Sequence, residues 1–151
     1  MHEGGAQTPL RVGWKEYVAL PEWNVARLRA KIDTGARTSA LDAADHEIYE
    51  VPGVGAVVRF RLNLSRKHPQ RQVLVEAPVV KMTLVRNSGG MRELRPVVET
   101  TVRLGPLQKR IRLTVTNRAG MIFRMILGRE ALAGDCLVDV GKKYLLWSTP
   151  G

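Results

Sequence analysis

The sequence has 151 residues, of which 44% are hydrophobic and 25% charged, a composition that excludes a wholly disordered chain and is typical of one globular domain. Its one cysteine, Cys136, excludes an intramolecular disulfide framework and a cysteine-rich zinc site. No apolar run approaches the roughly 18 residues of a membrane-spanning helix, and the first nine residues hold no apolar signal stretch. We therefore expect a cytoplasmic protein without membrane attachment, with a flexible tail over residues 1–10 and a single domain over 11–151.

Charge is the unusual bulk property of this chain. The formal net charge is +10 and the sequence pI about 10.5, and such an excess attracts polyanions such as nucleic acid, acidic proteins or anionic peptides. Solvated cations on strand faces would explain the same excess. A basic stretch around a predicted hairpin loop holds Arg59, Arg61, Arg66, Lys67 and Arg71, with no acidic residue among them.

Apolar and polar residues alternate with the period of two that is typical of β-strands. In the first such segment, Val25–Ile32, the apolar face is formed by Leu28, Ala30 and Ile32. The same alternation predicts strands over Val58–Leu64, Val98–Leu104 and Arg110–Thr116. A helical pattern is confined to 128–134, where Gly134 would end the helix. Strands at this spacing, separated by turn residues, predict an all-β barrel or sandwich.

The sharpest chemical signal follows the first strand. The apolar segment ending at Ile32 leads directly into Asp33-Thr34-Gly35-Ala36, which places an aspartate on a tight turn at a strand end. The glycine lets a second backbone approach closely, and the threonine hydroxyl can hydrogen-bond to a neighbouring loop. A plain connecting turn would use the same residue types.

A second motif near the end of the chain changes this balance. Met125-Ile126-Leu127-Gly128-Arg129 reads as an apolar strand that passes through Gly-Arg into the short helix. Together, the two motifs resemble the retropepsin-like (retroviral-type) aspartic proteases. The segments 14–21, 31–41 and 114–118 are further similar to a bacterial branch of that family often labelled "ATP-dependent zinc protease". The resemblance covers about residues 12–147.

The resemblance implies a closed all-β barrel with a flap hairpin and one short helix. In this family two carboxylates about 3 Å apart share one proton and activate water. Because the sequence has one Asp-Thr-Gly motif, the resemblance implies a homodimer in which each chain donates Asp33, the catalytic residue. Residues that would support the active site are Thr34, Gly35, Ala36, Gly128 and Arg129.

The sequence departs from the retroviral pattern at one position. Arg37 stands where those enzymes usually carry an aspartate that pairs with the arginine equivalent to Arg129, so we expect a different ion-pair arrangement and a substrate pocket that favours acidic peptides. The predicted flap runs over 85–94, and its substrate-covering tip would be Asn87, Ser88, Gly89 and Gly90. The surplus length over a minimal subunit falls between Asp42 and Val79, where we predict an inserted hairpin.

The sequence gives no support to the zinc and ATP in the branch label. His2, His46 and His68 are isolated from one another, whereas zinc hydrolases cluster their ligands. No phosphate-binding loop motif is present, and we expect neither a metal nor a cofactor. We interpret Asp45-His46-Glu47 as a surface turn.

Other candidate residues favour structural roles. The second Asp-x-Gly, at Asp139, lacks the central hydroxyl residue and is interpreted as a structural turn. Cys136 is interpreted as a small buried residue, since no histidine partner is evident. The tryptophans are assigned to core or interface packing: Trp14, Trp23 and Trp147.

Two alternatives to proteolysis stay open at this point. The first is a basic β-domain that binds RNA, the ribosome or another polyanion through the cations of residues 59–71, with an idle protease-like fold. The second is a dimerising module that acts only with another factor. Salt-dependent RNA binding that survives Asp33→Ala would favour the first.

Overall fold

Alternation of apolar and polar residues produces a fold built almost entirely from strands. The computed structural model describes residues 8–86, 89–117 and 122–146. The elements in these ranges are β1 (Leu10–Gly13), β2 (Lys15–Leu20), β3 (Val25–Ile32), β4 (Ser39–Val51), β5 (Gly55–Asn63), β6 (Gln72–Pro78), β7 (Lys81–Arg86), β8 (Arg92–Leu104), β9 (Leu107–Thr116), β10 (Met125–Leu127), α1 (Arg129–Leu132) and β11 (Cys136–Asp139). A 3-10 turn, Pro21–Trp23, lies between β2 and β3.

Six of the strands form a ring. Their order is β10-β3-β2-β8-β9-β4, and β10 closes the ring because it pairs with β3 in parallel and with β4 in antiparallel orientation. The long strand β4 continues beyond the ring into an antiparallel sheet with β5 and β6. A separate parallel pair is formed by β1 and β11. The predicted all-β closed barrel is therefore confirmed.

The strand predictions agree with the structure wherever the alternation is regular. Strand β3 has the predicted bounds, and Leu28, Ala30 and Ile32 are buried on one face. Strands β5, β8 and β9 contain most of the other predicted segments but begin earlier than predicted. Their first residues break the alternation, which is why the pattern alone missed them.

The barrel core also fixes the position of the short strand β10. Met125 and Leu127 are completely buried, and burial of each such side chain stabilises the fold by roughly 1.5–3 kcal/mol. Trp23 packs edge-on against the buried Phe60, with ring centroids 5.7 Å apart. Because β10 leads directly into Gly128 and Arg129, this burial sets where those two residues lie.

The segment between Asp42 and Val79 differs from the predicted inserted hairpin. It is a three-stranded meander made of the outer part of β4, then β5 and β6, with a loop over 64–71. The prediction of a surface turn at His46 was wrong, because this residue lies in β4 at a register shift between Ala44 and Glu47. Asp45 adopts φ +54° there, and such a bulge interrupts the period-2 pattern that marks a strand.

The predicted flap corresponds to the hairpin of β7 and β8. The register runs from Lys81 opposite Val97 to Arg86 opposite Arg92. Gly89 and Gly90 lie at the tip, and Gly90 has φ +82°, a conformation that favours glycine. Asn87 and Ser88 lie outside the described residues.

The remaining predictions concern the chain termini and the helix. Helix α1 lies within the predicted segment, and Gly134 follows it with φ +85°. Leu10, the last residue of the predicted tail, begins β1, and Trp147 lies outside the described residues. Cys136 is half-buried rather than buried, and desolvation raises the pKa of its thiol. No helix in the described ranges is long and apolar enough to cross a membrane.

Candidate active site around Asp33

Asp33 lies immediately after β3, on a loop whose backbone is anchored to the barrel. The Asp33 amide donates a hydrogen bond to the Leu127 carbonyl at 2.9 Å, which ties the loop to β10. The Gly35 amide donates to Asp33 Oδ1 at 3.0 Å, and the Ala36 amide donates to the Asp33 carbonyl at 3.1 Å. These bonds fix one carboxylate oxygen on the loop, and the side chain remains 27% exposed. The carboxylate is thus both oriented and accessible.

Gly128 is the point where this loop meets the end of β10. A Cβ atom built on Gly128 would lie 2.4 Å from the Thr38 carbonyl oxygen and 2.8 Å from that of Ala36. The Gly128 amide donates to the buried Ser39 hydroxyl at 3.0 Å. This position requires glycine because two backbones touch there, not because of its φ angle, which is −92°.

Arg129 supports the same loop from the first turn of α1. Its backbone amide donates to the Ala36 carbonyl at 2.8 Å, and its guanidinium donates to the Thr34 carbonyl at 3.0 Å. The next amide, of Glu130, donates to the Arg37 carbonyl at 3.0 Å. Three hydrogen bonds therefore join 128–130 to 34–37, and the two sequence motifs form one structural unit.

Arg37 pairs with a residue that the sequence reasoning did not assign. Its Nε atom lies 3.2 Å from Glu130 Oε2, and both side chains are exposed. This is the altered ion-pair arrangement expected from the departure at position 37. The pair also offsets part of the positive charge that was expected of Arg37 in a substrate pocket.

One cation of β3 faces the Asp33 carboxylate. Lys31 Nζ lies 4.0 Å from Asp33 Oδ2, and the Lys31 side chain is 45% exposed. Lys31 is two residues before Asp33 on the outward face of the strand, so alternation places both side chains on the same side. The alternation of β3 places Lys31 opposite the apolar face and gives no indication of this contact.

The second Asp-x-Gly segment provides an internal comparison. The Gly141 amide donates to Asp139 Oδ1 at 3.0 Å, the same bond as that between Gly35 and Asp33. Asp139 differs because its cationic partner, Arg11, donates a hydrogen bond to the carboxylate, whereas Lys31 lies 4.0 Å from Asp33. The Arg11 hydrogen bond, together with the Gly141 amide, lowers the pKa of the Asp139 carboxyl. The carboxylate of Asp139 thus has a cationic partner across the β1–β11 pair, in keeping with a structural turn.

The described ranges contain no group of three or more His, Cys, Asp or Glu side chains arranged to hold a metal ion.

The structure brings Asp33, Thr34, Gly35, Ala36 and Arg37 together with Gly128 and Arg129. Gly89 and Gly90 lie at the tip of the β7–β8 hairpin. Ser39 and Glu130 are contacts that sequence reasoning missed, although both lie within or next to the two motifs.

Comparison with known proteins places this geometry in a family. In the crystal structure of a Legionella pneumophila protein of unknown function, the fold matches with a TM-score of 0.76 and 25% sequence identity, over 93% of this chain and 100% of that one. Three curated relatives are named probable alpha-L-glutamate ligase. The relative from Desulfotalea psychrophila is 32% identical over 85% of this chain, and that from Shewanella pealeana is 33% identical over 89%. The relative from Parasynechococcus marenigrum is 36% identical over 85% of this chain.

The chain spans 27–29% of the length of these curated relatives. A family model described as retropepsin-like aspartic endopeptidase RimB matches residues 11–148. This match includes both motifs, the ring of strands and the loop that carries Asp33. The chain therefore belongs to the RimB-like family of retropepsin-like aspartic endopeptidases.

Proposed function

We propose that this chain is an aspartic endopeptidase whose active site is completed when two copies bring their Asp33 side chains together. The observation that carries the proposal is the Asp33 carboxylate itself. It is oriented by the Gly35 amide, braced from β10 and α1, and still exposed to a partner or substrate. One such carboxylate per chain is half of the pair that this chemistry requires.

The reaction would proceed without a covalent intermediate. One Asp33 accepts a proton from water, and the resulting hydroxide adds to the carbonyl carbon of the scissile bond. The other Asp33 gives its proton to the carbonyl oxygen. When the tetrahedral intermediate collapses, the Asp33 that took the proton from water gives it to the nitrogen as the C–N bond breaks. The other Asp33 accepts a hydroxyl proton of the intermediate, which restores the starting pair. Activity would follow a bell-shaped pH profile that belongs to the pair, with its optimum on the acid side of neutrality.

The supporting residues have separate roles in this proposal. Arg129 and Gly128 hold the loop, and the exposed Thr34 would brace the two loops against each other across the twofold axis. Arg37 would contribute to substrate binding beside its partner Glu130. The β7–β8 hairpin would cover the cleft, with exposed Leu84 and Leu94 paired across its strands.

We further propose that the substrate is an acidic peptide. Relatives of this chain are named probable alpha-L-glutamate ligase, and this name is our reason to propose α-linked glutamate segments as the peptide that the chain hydrolyses. The positive net charge of this chain would attract such a substrate. Equal cleavage of acidic and neutral peptides would remove the basis for this preference.

The experiment compares the wild-type protein with Asp33→Asn on a peptide library that contains oligoglutamate segments, with the mass in solution measured in parallel. The matched control is Asp139→Asn, which alters the same residue type in the same turn geometry. We expect cleavage from a species of twice the chain mass, lost in Asp33→Asn and retained in Asp139→Asn. Equal activity in all three proteins would overturn the proposal.

A polyanion-binding domain is the second candidate. Arg66, Lys67 and Arg71 are exposed on the loop between β5 and β6, which favours it. Arg59, however, is paired with Glu47 at 2.5 Å, so part of this basic stretch is already neutralised within the sheet. Steep salt-dependent RNA binding with no peptide cleavage would favour this candidate.

A further inference from the structure

The outward face of strands β2 and β3 carries a cluster of positive charge that the proposed function does not use. We call it the basic face and define it by Lys15, Arg27, Arg29, Lys31, Lys143 and Arg103. Three of these cations alternate along β3, opposite the buried residues Leu28, Ala30 and Ile32. Strand pairing places Lys15 opposite Lys31 and Tyr17 opposite Arg29, and it places Arg103 of β8 opposite Ala19.

Aromatic rings hold several of these cations in place. Tyr17 stacks on Tyr144 with ring centroids 4.6 Å apart, and the Arg27 guanidinium lies 4.4 Å from the Tyr17 centroid. Arg29 lies 5.1 Å from the Phe123 ring, and its Nε atom is buried without a hydrogen-bond partner within the described ranges. Cations fixed on rings are preorganised, which reduces the entropy lost on binding an anion.

Five cations of the basic face, all except Arg27, have little compensating negative charge around them. Among the described residues, one carboxylate lies within 4.0 Å of these five cations. It belongs to Asp33 and lies beside Lys31. The nearby Glu16 is completely buried, and its carboxylate accepts backbone amides of Gly13 and Leu145 at 2.7 and 3.0 Å. Burial and the positive charges of Lys143 and Arg29 lower the pKa of Lys15. The cations therefore repel one another, and a bound polyanion would relieve that repulsion.

A shallow depression lies at the end of this face that carries Arg27 and Arg103, away from the paired Lys15 and Lys31. It has a volume of about 270 Å³, and its lining includes Tyr17, Arg27, Arg103 and Leu146. Two guanidinium groups border it, and Tyr17 and Leu146 supply apolar surface. This combination suits the aliphatic stem and carboxylate head of an acidic side chain, since a guanidinium can bind a carboxylate through two hydrogen bonds.

We propose that the basic face binds an extended acidic polypeptide segment that flanks the bond presented to Asp33. That this segment belongs to the substrate rests on the proposed function. Alternate residues of β3 are about 6.6–6.8 Å apart, and alternate side chains of an extended peptide repeat at the same distance. Strand β3 also leads directly into the Asp33 loop, so a peptide bound along it is already adjacent to the candidate catalytic group.

The aromatic arrangement favours a peptide over single-stranded nucleic acid. Proteins that bind single strands stack bases on exposed aromatic rings. Here Tyr17 already packs against Tyr144 and Arg27, and Trp14 meets Phe123 edge-on with the Lys15 ammonium 4.8 Å from its centroid. The rings serve the cations rather than a row of bases.

The test measures binding without cleavage. A fluorescent ten-residue α-linked oligoglutamate is titrated into Asp33→Asn protein, and the anisotropy is recorded at low salt. The triple variant Arg27→Gln, Lys31→Gln, Lys143→Gln is compared with a control triple on the β5–β6 loop, Arg66→Gln, Lys67→Gln, Arg71→Gln. Both triples remove three positive charges, and circular dichroism confirms that both are folded. We expect about tenfold weaker binding for the first triple and less than twofold for the control.

Three outcomes would overturn the inference: equal loss in both triples, equal affinity for an oligoglutamine peptide, or tighter binding of a single-stranded RNA of matched charge that is lost in the first triple. Binding is scored in a protein that cannot use Asp33. An inactive wild-type protein that binds oligoglutamate at this face would therefore leave the inference intact while the proposed function fails. Conversely, a wild-type protein that cleaves peptides without binding at this face would overturn the inference alone.

Discussion

The contact between Gly128 and the Asp33 loop makes Gly128→Ala a sensitive test of how the site is built. The new Cβ would lie 2.4 Å from the Thr38 carbonyl oxygen, so this backbone would have to move by about 1 Å to reach ordinary contact distance. Overpacking of this kind costs about 1–3 kcal/mol. The amides of Arg129 and Glu130, which donate to the same stretch of loop, would lose part of two hydrogen bonds worth about 0.5–1.5 kcal/mol each.

The sum is a loss of about 2–5 kcal/mol in the free energy of unfolding, which for a chain of this size lowers Tm by about 5–15 °C. Urea denaturation and a thermal scan measure both values. Peptidase kcat should fall by about a hundredfold, because an active-site group displaced by about 1 Å loses its alignment.

The matched control is Gly141→Ala. A Cβ there would meet Asp139 Oδ1 at 3.5 Å, which is ordinary contact. The same chemical change should therefore alter stability by less than about 1 kcal/mol. A Gly128→Ala protein within about 0.5 kcal/mol of wild type, or an equal loss in both variants, would show that the close contact at Gly128 does not limit stability.

Further predictions concern a buried ion pair, a buried hydrogen bond and a titrating histidine of the barrel. Asp42→Ala should cost about 3–5 kcal/mol in urea denaturation, because it removes the buried carboxylate that lies 2.5 Å from the part-buried Arg124 guanidinium and accepts a hydrogen bond from the Asn63 amide; a loss below 1 kcal/mol would contradict this. Ser39→Ala removes the acceptor of the Gly128 amide and should cost about 1–3 kcal/mol, whereas an unchanged denaturation midpoint would show that another group accepts this amide. Burial, with the Arg95 charge, lowers the pKa of His46 below its usual 6.5. Above pH 6.5 His46 is neutral in both the folded and the unfolded chain and does not reduce the free energy of unfolding. That free energy falls as the pH drops from 6.5 through the lowered pKa, because the unfolded chain binds a proton that the folded chain does not. His46→Gln should flatten this part of a stability-against-pH curve, and an identical curve would contradict the assignment.

The sequence predicted those features that depend on local pattern or on the two motifs. Strand β3 and its buried face follow from strict alternation, and the joining of Asp33 to Gly128 follows from the resemblance. The beginnings of β5 and β8 were missed because the first residues of these strands do not alternate. The bulge at Asp45 was taken for a turn because a polar, positive-φ residue is common to both.

Long-range partners lay beyond what the sequence could indicate. Nothing in the pattern pairs β1 with β11, or joins Arg37 to Glu130, since such contacts depend on how distant segments come together. The basic face was visible as alternating cations of β3, and solvation was an adequate interpretation of it. Only the addition of Lys15, Lys143 and Arg103 from three other segments concentrates the charge.

In the proposed enzyme two Asp33 side chains, one from each of two chains, make a single active site. The most direct measurement is the peptidase activity of a heterodimer that contains one wild-type and one Asp33→Asn chain, purified through two different affinity tags. A shared site predicts a loss of about a hundredfold or more, because one of its two acid–base groups is missing. Retention of about half of the wild-type activity would mean that each chain works alone, and would contradict a shared active site.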